Sequence, residues 1–235
     1  MPYNLIAVLI VVLVGGGISL FTRAADIKFQ RALNQRLEEW GLARGLKMQD
    51  HPDPNPMYNV NVVSGYKGEE LAPFADNPLV AENTAFNMLV GQIEGRRVRA
   101  FQIRETKYKA RSHYYLYYSC VAIQMTTLIP AFSIQSADSA VGGPPETGDP
   151  LFDRTFVIRG ERGNPTQEML TAEVRANALR APGIRWFSQG GYLLAIVDGL
   201  LSNDEFDRLY QEVDRMTDLL ATARSRPAQS SISLS

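Results

Sequence analysis

The residues best suited to chemistry in this chain are a cluster of basic side chains followed at once by aromatic ones. Between residues 96 and 111, seven basic residues stand against one acidic residue, and seven minus one gives a local charge of +6. Basic and aromatic side chains in one stretch are typical of surfaces that hold phosphate groups and stack flat rings. The basic residues are Arg96, Arg97, Arg99, Arg104, Lys107, Lys109 and Arg111, and His113, Tyr114, Tyr115, Tyr117 and Tyr118 follow them.

Three interpretations of this basic region are open. The simplest is a solvated hairpin end whose tyrosines pack in or across a sheet. The second is attraction to anionic lipid headgroups, worth up to about 1 kcal/mol for each basic residue close to the surface. Nucleic acid is the least favoured partner, because the whole chain has a formal charge of only −1. The residues predicted to contact lipid are Arg97, Arg99, Arg104, Lys107, Lys109 and Arg111.

The sequence predicts no catalytic residue, no metal site and no cofactor. Cys120, His51 and His113 are too few for the usual zinc ligand sets within one chain. Neither histidine has a neighbourhood typical of nucleophilic catalysis, and no phosphate-binding glycine loop follows a predicted strand. Five carboxylates could supply a pair in three dimensions, but turn and helix-capping roles explain them more simply. They are Asp153, Glu161, Glu168, Asp198 and Asp204.

An apolar run near the N-terminus, residues 5–21, extends for seventeen residues without a charge. As a helix it would measure about 25 Å, just enough to cross a hydrocarbon layer ~30 Å thick. A cleaved signal peptide is the alternative, but no basic residue precedes the run and Arg23 interrupts the small residues after it. A buried core helix suits a run without a polar face poorly. Residues 1–25 are therefore predicted to be an uncleaved transmembrane anchor that places residues 5–21 in a lipid bilayer.

The charges beside this run predict its orientation. Arg23, Lys28, Arg31 and Arg36 follow the run, whereas only the α-amine precedes it. Lysine and arginine close to a span tend to stay on the cytoplasmic side. The chain is therefore expected to be a single-pass protein of the cell membrane with a cytoplasmic C-terminal domain.

Residues 26–136 are predicted to form a basic helix and an antiparallel meander. Leu37 and Trp40 fall on the apolar stripe of the helix. Glu94-Gly95 between two apolar and β-branched runs indicates a hairpin, because glycine supplies the positive φ of a tight turn. A third run, residues 113–129, should pair next, and residues 132–134 should add a short edge strand.

Residues 137–150, which are rich in glycine and proline, are predicted to be a linker. Residues 151–223 follow as a β-α-β-β-α lobe. Its first helix is expected to begin at Asn164, a hairpin is expected at residues 189–191, and Ser202–Glu205 reads as the capping box of the last helix. Residues 224–235 have nothing to bury and are predicted to be a disordered tail.

Several of these motifs together resemble a known group of proteins. Residues 91–101 read GQIEGRRVRAF, residues 152–158 read FDRTFVI, and Trp186 and a Tyr192-Leu193-Leu194 strand precede the closing helix. This pattern resembles bacterial, actinobacterial-type, one-pass membrane-anchored proteins of unknown function. The resemblance covers residues 86–222 and the anchor. It implies a location and a fold, and it brings no catalytic residues.

The sequence thus predicts an α+β protein, with an N-terminal transmembrane helix and an antiparallel sheet of hairpins packed with two or three helices. We expect a binding or scaffold module at the cytoplasmic membrane face, with no partner protein identified. The alternative is a membrane-tethered enzyme that acts on a small or lipid-like substrate through a carboxylate or histidine site.

Overall fold

The computed structural model describes residues 36–49, 71–109, 112–138, 147–160 and 168–225. The strands are β1 (Lys47–Met48), β2 (Thr84–Ile93), β3 (Arg96–Lys109), β4 (Ser112–Gln124), β5 (Phe132–Ser136), β6 (Phe156–Gly160), β7 (Arg185–Gln189) and β8 (Tyr192–Asp198). The helices are α1 (residues 36–42), α2 (Pro78–Ala81), α3 (Pro150–Thr155), α4 (Ala172–Arg180) and α5 (Asn203–Ser225).

One eight-stranded sheet organises these elements, in the order β1-β2-β3-β4-β8-β7-β5-β6. Every neighbouring pair is antiparallel. The predicted α+β class with an antiparallel sheet is confirmed. Strands from both sides of residues 137–150 join this sheet, because β4 pairs with β8 and β5 lies between β7 and β6.

Two tight turns fix the register of the predicted hairpins. Glu94 and Gly95 join β2 to β3 with φ angles of 52° and 80°, and Gly190 and Gly191 join β7 to β8 with φ angles of 57° and 78°. Two consecutive residues with positive φ match the right-handed twist of the strands they connect. Both predicted hairpins are confirmed.

The prediction for residues 132–134 is wrong in one respect. They belong to β5, which is an interior strand with β6 on one side and β7 on the other. The edge strand is β6 instead. The error arose because both neighbours of β5 follow it in the chain, and a prediction from local pattern paired it with the strand before it.

Proline after a capping residue marks two short helices that the sequence analysis missed. The Asp149 carboxylate accepts hydrogen bonds from the amides of Leu151 and Phe152, both at 3.1 Å, and Pro150 is the first residue of α3. Asn77 and Pro78 begin α2 in the same way. A side-chain acceptor followed by proline is a strong helix start because proline has no amide to satisfy.

The three longest helical segments pack on one face of the sheet, which we call the helix face. The α5 helix contacts β4 and β8, and α4 contacts α5. Trp40 of α1 packs its ring on Phe206 of α5, with centroids 5.4 Å apart. The buried side chains of α4 and α5 recur at helical spacing. They are Val174, Asn177, Ala178, Phe206, Leu209, Tyr210, Val213, Met216, Thr217 and Leu220.

The predicted N-terminal cap is confirmed for α5, whereas a different residue caps α4. The Ser202 amide donates to Glu205 Oε2 at 2.8 Å, and the Glu205 amide donates to Ser202 Oγ at 3.4 Å, so the predicted capping box is confirmed. Thr171 caps α4, whereas the predicted cap Asn164 lies outside the described residues. The α5 helix continues to Ser225, two residues into the predicted tail.

None of the helices within the described ranges has the length and apolar character that crossing a bilayer requires. The predicted anchor at residues 5–21 lies outside those ranges.

Candidate functional site

Strands β3 and β4 extend beyond their neighbours in the sheet. The last pair between β2 and β3 at this end is Thr84 with Arg104, and the last pair between β8 and β4 is Asp198 with Tyr118. Pairing between β3 and β4 continues to Lys109 and Ser112. Residues 105–109 and 112–117 therefore form a two-stranded arm, about 17 Å long at 3.3 Å per residue. We call this arm the ribbon.

The ribbon exposes aromatic and basic side chains on both of its faces. The helix face of the ribbon carries Thr106, Tyr108, His113 and Tyr115. The opposite face carries Glu105, Lys107, Tyr114 and Leu116. Large side chains are seldom left this open on an ordinary surface strand. The exposed fractions are 83% for Tyr108, 49% for Tyr114, 37% for Leu116 and 36% for Tyr115.

Ring contacts connect the two strands of the ribbon on its helix face. The His113 ring lies 6.4 Å from Tyr108 and 5.3 Å from Tyr115, measured between centroids. The Arg104 guanidinium lies 4.9 Å from the centroid of Tyr115. Cross-strand aromatic and cation–π contacts of this kind each contribute about 0.5–1 kcal/mol at exposed sites. Packing across the strands thus explains the presence of Tyr108 and Tyr115 in the ribbon.

A polar cluster lies at the base of the ribbon, on the face opposite the helices. The Tyr118 hydroxyl donates to Glu105 Oε2 at 2.6 Å, and Lys107 Nζ lies 2.5 Å from Glu105 Oε1. Burial and the bond to Glu105 raise the pKa of Tyr118 to about 12. Burial also opposes ionisation of Glu105, but hydrogen bonds from Lys107 and Tyr118 outweigh it and lower its pKa. Neither group is poised to exchange a proton near neutral pH.

The remaining candidates for reactive chemistry are paired with other side chains or buried. Arg185 forms an ion pair with Asp198 and places its guanidinium 5.1 Å from the ring centroid of Tyr118. Cys120 is fully buried, and burial raises the pKa of its thiol well above the ordinary value. A neutral buried thiol is a weak nucleophile. Among the described residues, no three histidine, cysteine, aspartate or glutamate side chains are grouped so that they could hold a metal ion.

The structure separates the six residues predicted to contact lipid. Lys107 and Lys109 are on the ribbon, and Arg104 is on the helix face at its base. Arg97 and Arg99 lie near the opposite end of β3, and Arg99 and Lys107 are about 26 Å apart along the strand. Arg111 lies outside the described residues. The basic region of the sequence is therefore not one continuous patch.

Two of the basic residues near the β2–β3 turn have partners within the fold. Arg99 donates to the backbone oxygen of Ala72 at 2.5 Å. Arg96 lies 2.9 Å from Asp214 and 2.5 Å from Asp218, both on α5. Arg96 and Arg99 therefore stabilise the fold, because each guanidinium contacts a carboxylate or a carbonyl oxygen. Their positive charges belong to the +6 of residues 96–111.

A cleft of about 720 Å³ lies beside the base of the ribbon. Its walls come from β4, from the segment after β8 and from α1, through residues including Leu116, Tyr117, Leu200 and Arg36. The sequence analysis missed this cleft because it joins three elements far apart in the chain. Gly199, which follows β8 with a φ of +88°, also lines the cleft.

Comparison with known proteins gives one informative likeness. No protein-family model matches the sequence, and no curated protein matches it. Among solved structures, the chain is similar to the crystal structure of the mycobacterial trehalose monomycolate transport factor A, TtfA. The TM-score is 0.53 at 14% sequence identity, and the match covers 81% of this chain and 95% of TtfA. The two proteins therefore share a fold over nearly the whole of TtfA.

Proposed function

We propose that this chain is a single-pass membrane protein whose domain is a binding or scaffold module in an accessory step of lipid transport. The observation that carries the proposal is the shared fold, which spans 95% of a protein described as a trehalose monomycolate transport factor. The apolar run at residues 5–21 supports a membrane location. The engaged or buried state of Glu105, Tyr118 and Cys120 favours binding over catalysis.

In this proposal the anchor confines the domain to the bilayer surface. Confinement raises the effective concentration of the domain toward other membrane-bound molecules without any new contact. The basic residues after the apolar run favour the cytoplasmic side for the domain. The likeness to actinobacterial-type one-pass proteins supports the same arrangement.

The transport role can be tested in the native bacterium. We would delete residues 5–21, follow the protein by membrane fractionation, and follow newly made lipids by radiolabelling of the cell envelope. The expected result is loss of the protein from alkaline-washed membranes and accumulation of at least one lipid species on the inner side. If the protein that lacks residues 5–21 is fully retained on washed membranes, the assignment of these residues as the anchor is wrong. If lipid distribution is unchanged in a strain without the whole gene, the transport role is wrong.

We further propose that the ribbon, rather than the whole basic region, contacts anionic headgroups. Lys107 and Lys109 alternate with Tyr108 near its tip, and tyrosine and lysine are the side chains that suit a membrane interface. Because Lys107 is partly neutralised by Glu105, the two lysines should contribute less than two isolated charges would.

Replacing both Lys107 and Lys109 by glutamine should weaken binding of the chain lacking residues 1–24 to anionic vesicles by roughly tenfold. Co-sedimentation at low and high salt measures this, and salt should weaken the parent more than the variant. The control changes two exposed basic residues away from the ribbon, Lys47 and Arg208, to glutamine. Equal loss in both variants, or equal binding to neutral and anionic vesicles, would remove the ribbon from the headgroup contact.

A further inference from the structure

The face of the sheet opposite the helices is covered over only part of its width. Leu71, Phe74 and Val80, from the segment before β2, are buried against β2, β3, β4 and β8. Phe74 packs on Phe101 and Tyr192, with centroids 5.9 Å and 5.6 Å apart. Beyond this cover, β7, β5 and β6 carry a groove on the same face.

The groove has a volume of about 630 Å³ and continues into a second hollow of about 460 Å³. Asn77, Gln135, Arg159 and Phe187 line both parts, so the two hollows form one continuous surface. Gln135, Arg159 and Phe187 come from the three neighbouring strands β5, β6 and β7. The α2 segment, which includes Asn77, forms the opposite wall.

Asn77, which lines this groove, has an unused hydrogen-bond donor. The side chain is 2% exposed, and its oxygen accepts the amide of Leu79 at 3.1 Å as the cap of α2. Its Nδ2 group is buried and has no hydrogen-bond partner. A buried donor without an acceptor is costly, and such groups are rare in folded proteins. An acceptor supplied by a bound molecule would satisfy it.

The other groove residues combine hydrogen-bonding groups with a flat apolar surface. Gln135 Nε2 donates to Ser133 Oγ at 3.1 Å, and the carboxamide and hydroxyl together offer both donors and acceptors. Phe187 is the register partner of Ser133 across β5 and β7, lines both hollows and has 9% of its surface exposed. A few placed polar groups around an apolar surface are the usual composition of a small-molecule site.

The cations around the groove are compensated within the protein. Arg185 is paired with Asp198, Glu105 is paired with Lys107, and Arg159 interacts with other protein groups. An anionic ligand would therefore face no unpaired cation here, and its desolvation would not be repaid. Asp76 and Glu82 also line the groove, and their carboxylates can accept hydrogen bonds from hydroxyl groups. The arrangement disfavours an anion and suits a neutral ligand that has many hydroxyl groups.

We propose that this groove binds a neutral sugar, either free or as the headgroup of a glycolipid. Asn77 donates to a sugar oxygen, Gln135 and Ser133 bond to neighbouring hydroxyls, and Phe187 packs against the apolar face of the ring. This inference rests on the groove and does not depend on the proposed transport role, which would gain a cargo-recognition site if the sugar is lipid-linked.

The test uses the full chain in a zwitterionic detergent without a sugar headgroup, because a maltoside or glucoside detergent would itself compete for the groove. Isothermal titration and saturation-transfer NMR would be run with trehalose, with maltose, with a neutral glycolipid in mixed micelles and with glucose 6-phosphate. We expect saturable binding of a neutral sugar. For a free disaccharide, the dissociation constant should be about 1 mM.

Two variants locate the binding. Asn77→Asp keeps the oxygen that caps α2 and removes the donor, and we expect affinity to fall by about tenfold, the value of one hydrogen bond. Gln135→Leu should weaken binding similarly. The matched control Gln211→Leu makes the same change at an exposed position on α5 and should leave affinity unchanged. Thermal melting of each variant reports folding separately.

The binding results distinguish a soluble sugar from a lipid-linked one. Binding of the free disaccharide assigns a soluble sugar, and binding of the glycolipid alone assigns a lipid headgroup, and either result supports the proposal. The proposal is overturned by no saturable binding of any neutral sugar, by equal affinity in Gln135→Leu and Gln211→Leu, or by tighter binding of glucose 6-phosphate than of the disaccharides. Failure of the transport experiment with intact sugar binding would leave this site in place.

Discussion

Replacing Phe206 by alanine should lower the free energy of unfolding by about 3–5 kcal/mol, the usual cost of truncating a fully buried phenylalanine. Phe206 is 0% exposed and lies in the first turn of α5, where its ring packs on Trp40 of α1. Trp40 Nε1 in turn donates to Asp207 of α5 at 2.8 Å. The change would leave a cavity at the junction of both helices with the sheet, and it would loosen α1 as well as α5.

Urea unfolding of the detergent-solubilised chain, followed by far-UV circular dichroism, measures this loss. Phe206→Leu should cost less than about 1.5 kcal/mol, because it keeps most of the buried volume. Leu128→Ala serves as the control at a side chain that is 81% exposed, and it should change stability by no more than about 0.5 kcal/mol. A loss for Phe206→Ala as small as that of Leu128→Ala would mean that the α1–α5 contact does not hold the domain together.

Replacing Gly190 by alanine should destabilise the domain by about 2–5 kcal/mol, from a backbone cost and a steric cost together. Gly190 has a φ of +57°, and a Cβ atom at this position would lie 2.2 Å from Cβ of Pro73. The contact is between the β7–β8 turn and the segment that covers the face opposite the helices. A methyl group would therefore separate that segment from the sheet.

The other hairpin distinguishes the two costs. Glu94 holds the equivalent turn position with a φ of 52°, so this conformation alone does not require glycine. Gly95→Ala, where no atom lies within 4 Å of the added Cβ, should cost only the backbone share of about 1–2 kcal/mol. Combining Gly190→Ala with Pro73→Gly should restore part of the loss in a double-mutant cycle. Additive losses would show that Pro73 is not the obstacle.

The local structure of this domain could be predicted where a few adjacent residues determine it. Glu94-Gly95 and Gly190-Gly191 contain the backbone freedom their turns need, and Ser202–Glu205 contains both partners of its capping box. Asp149-Pro150 carries an equally local signal for α3. It was missed because the glycines and prolines around it fitted a linker.

The order of the strands could not be predicted in this way. Whether β5 pairs with β4 or with β6 and β7 depends on side chains that meet only after the whole sheet has formed. The groove depends on the same order, because Gln135, Arg159 and Phe187 are neighbours only when β5 lies between β6 and β7. The basic region illustrates the reverse case, since residues close in sequence lie far apart on a strand 14 residues long.

The pairing of β4 with β8 has a consequence for how the protein is made. The Ser119 hydroxyl donates to the backbone oxygen of Gly199, 80 residues later in the chain. The centre of the sheet therefore cannot close until residue 199 has left the ribosome, and contacts between such distant residues slow folding. Until then the apolar edge of β4 is open to self-association. A ribosome that stalls before residue 192 would release a product prone to aggregation.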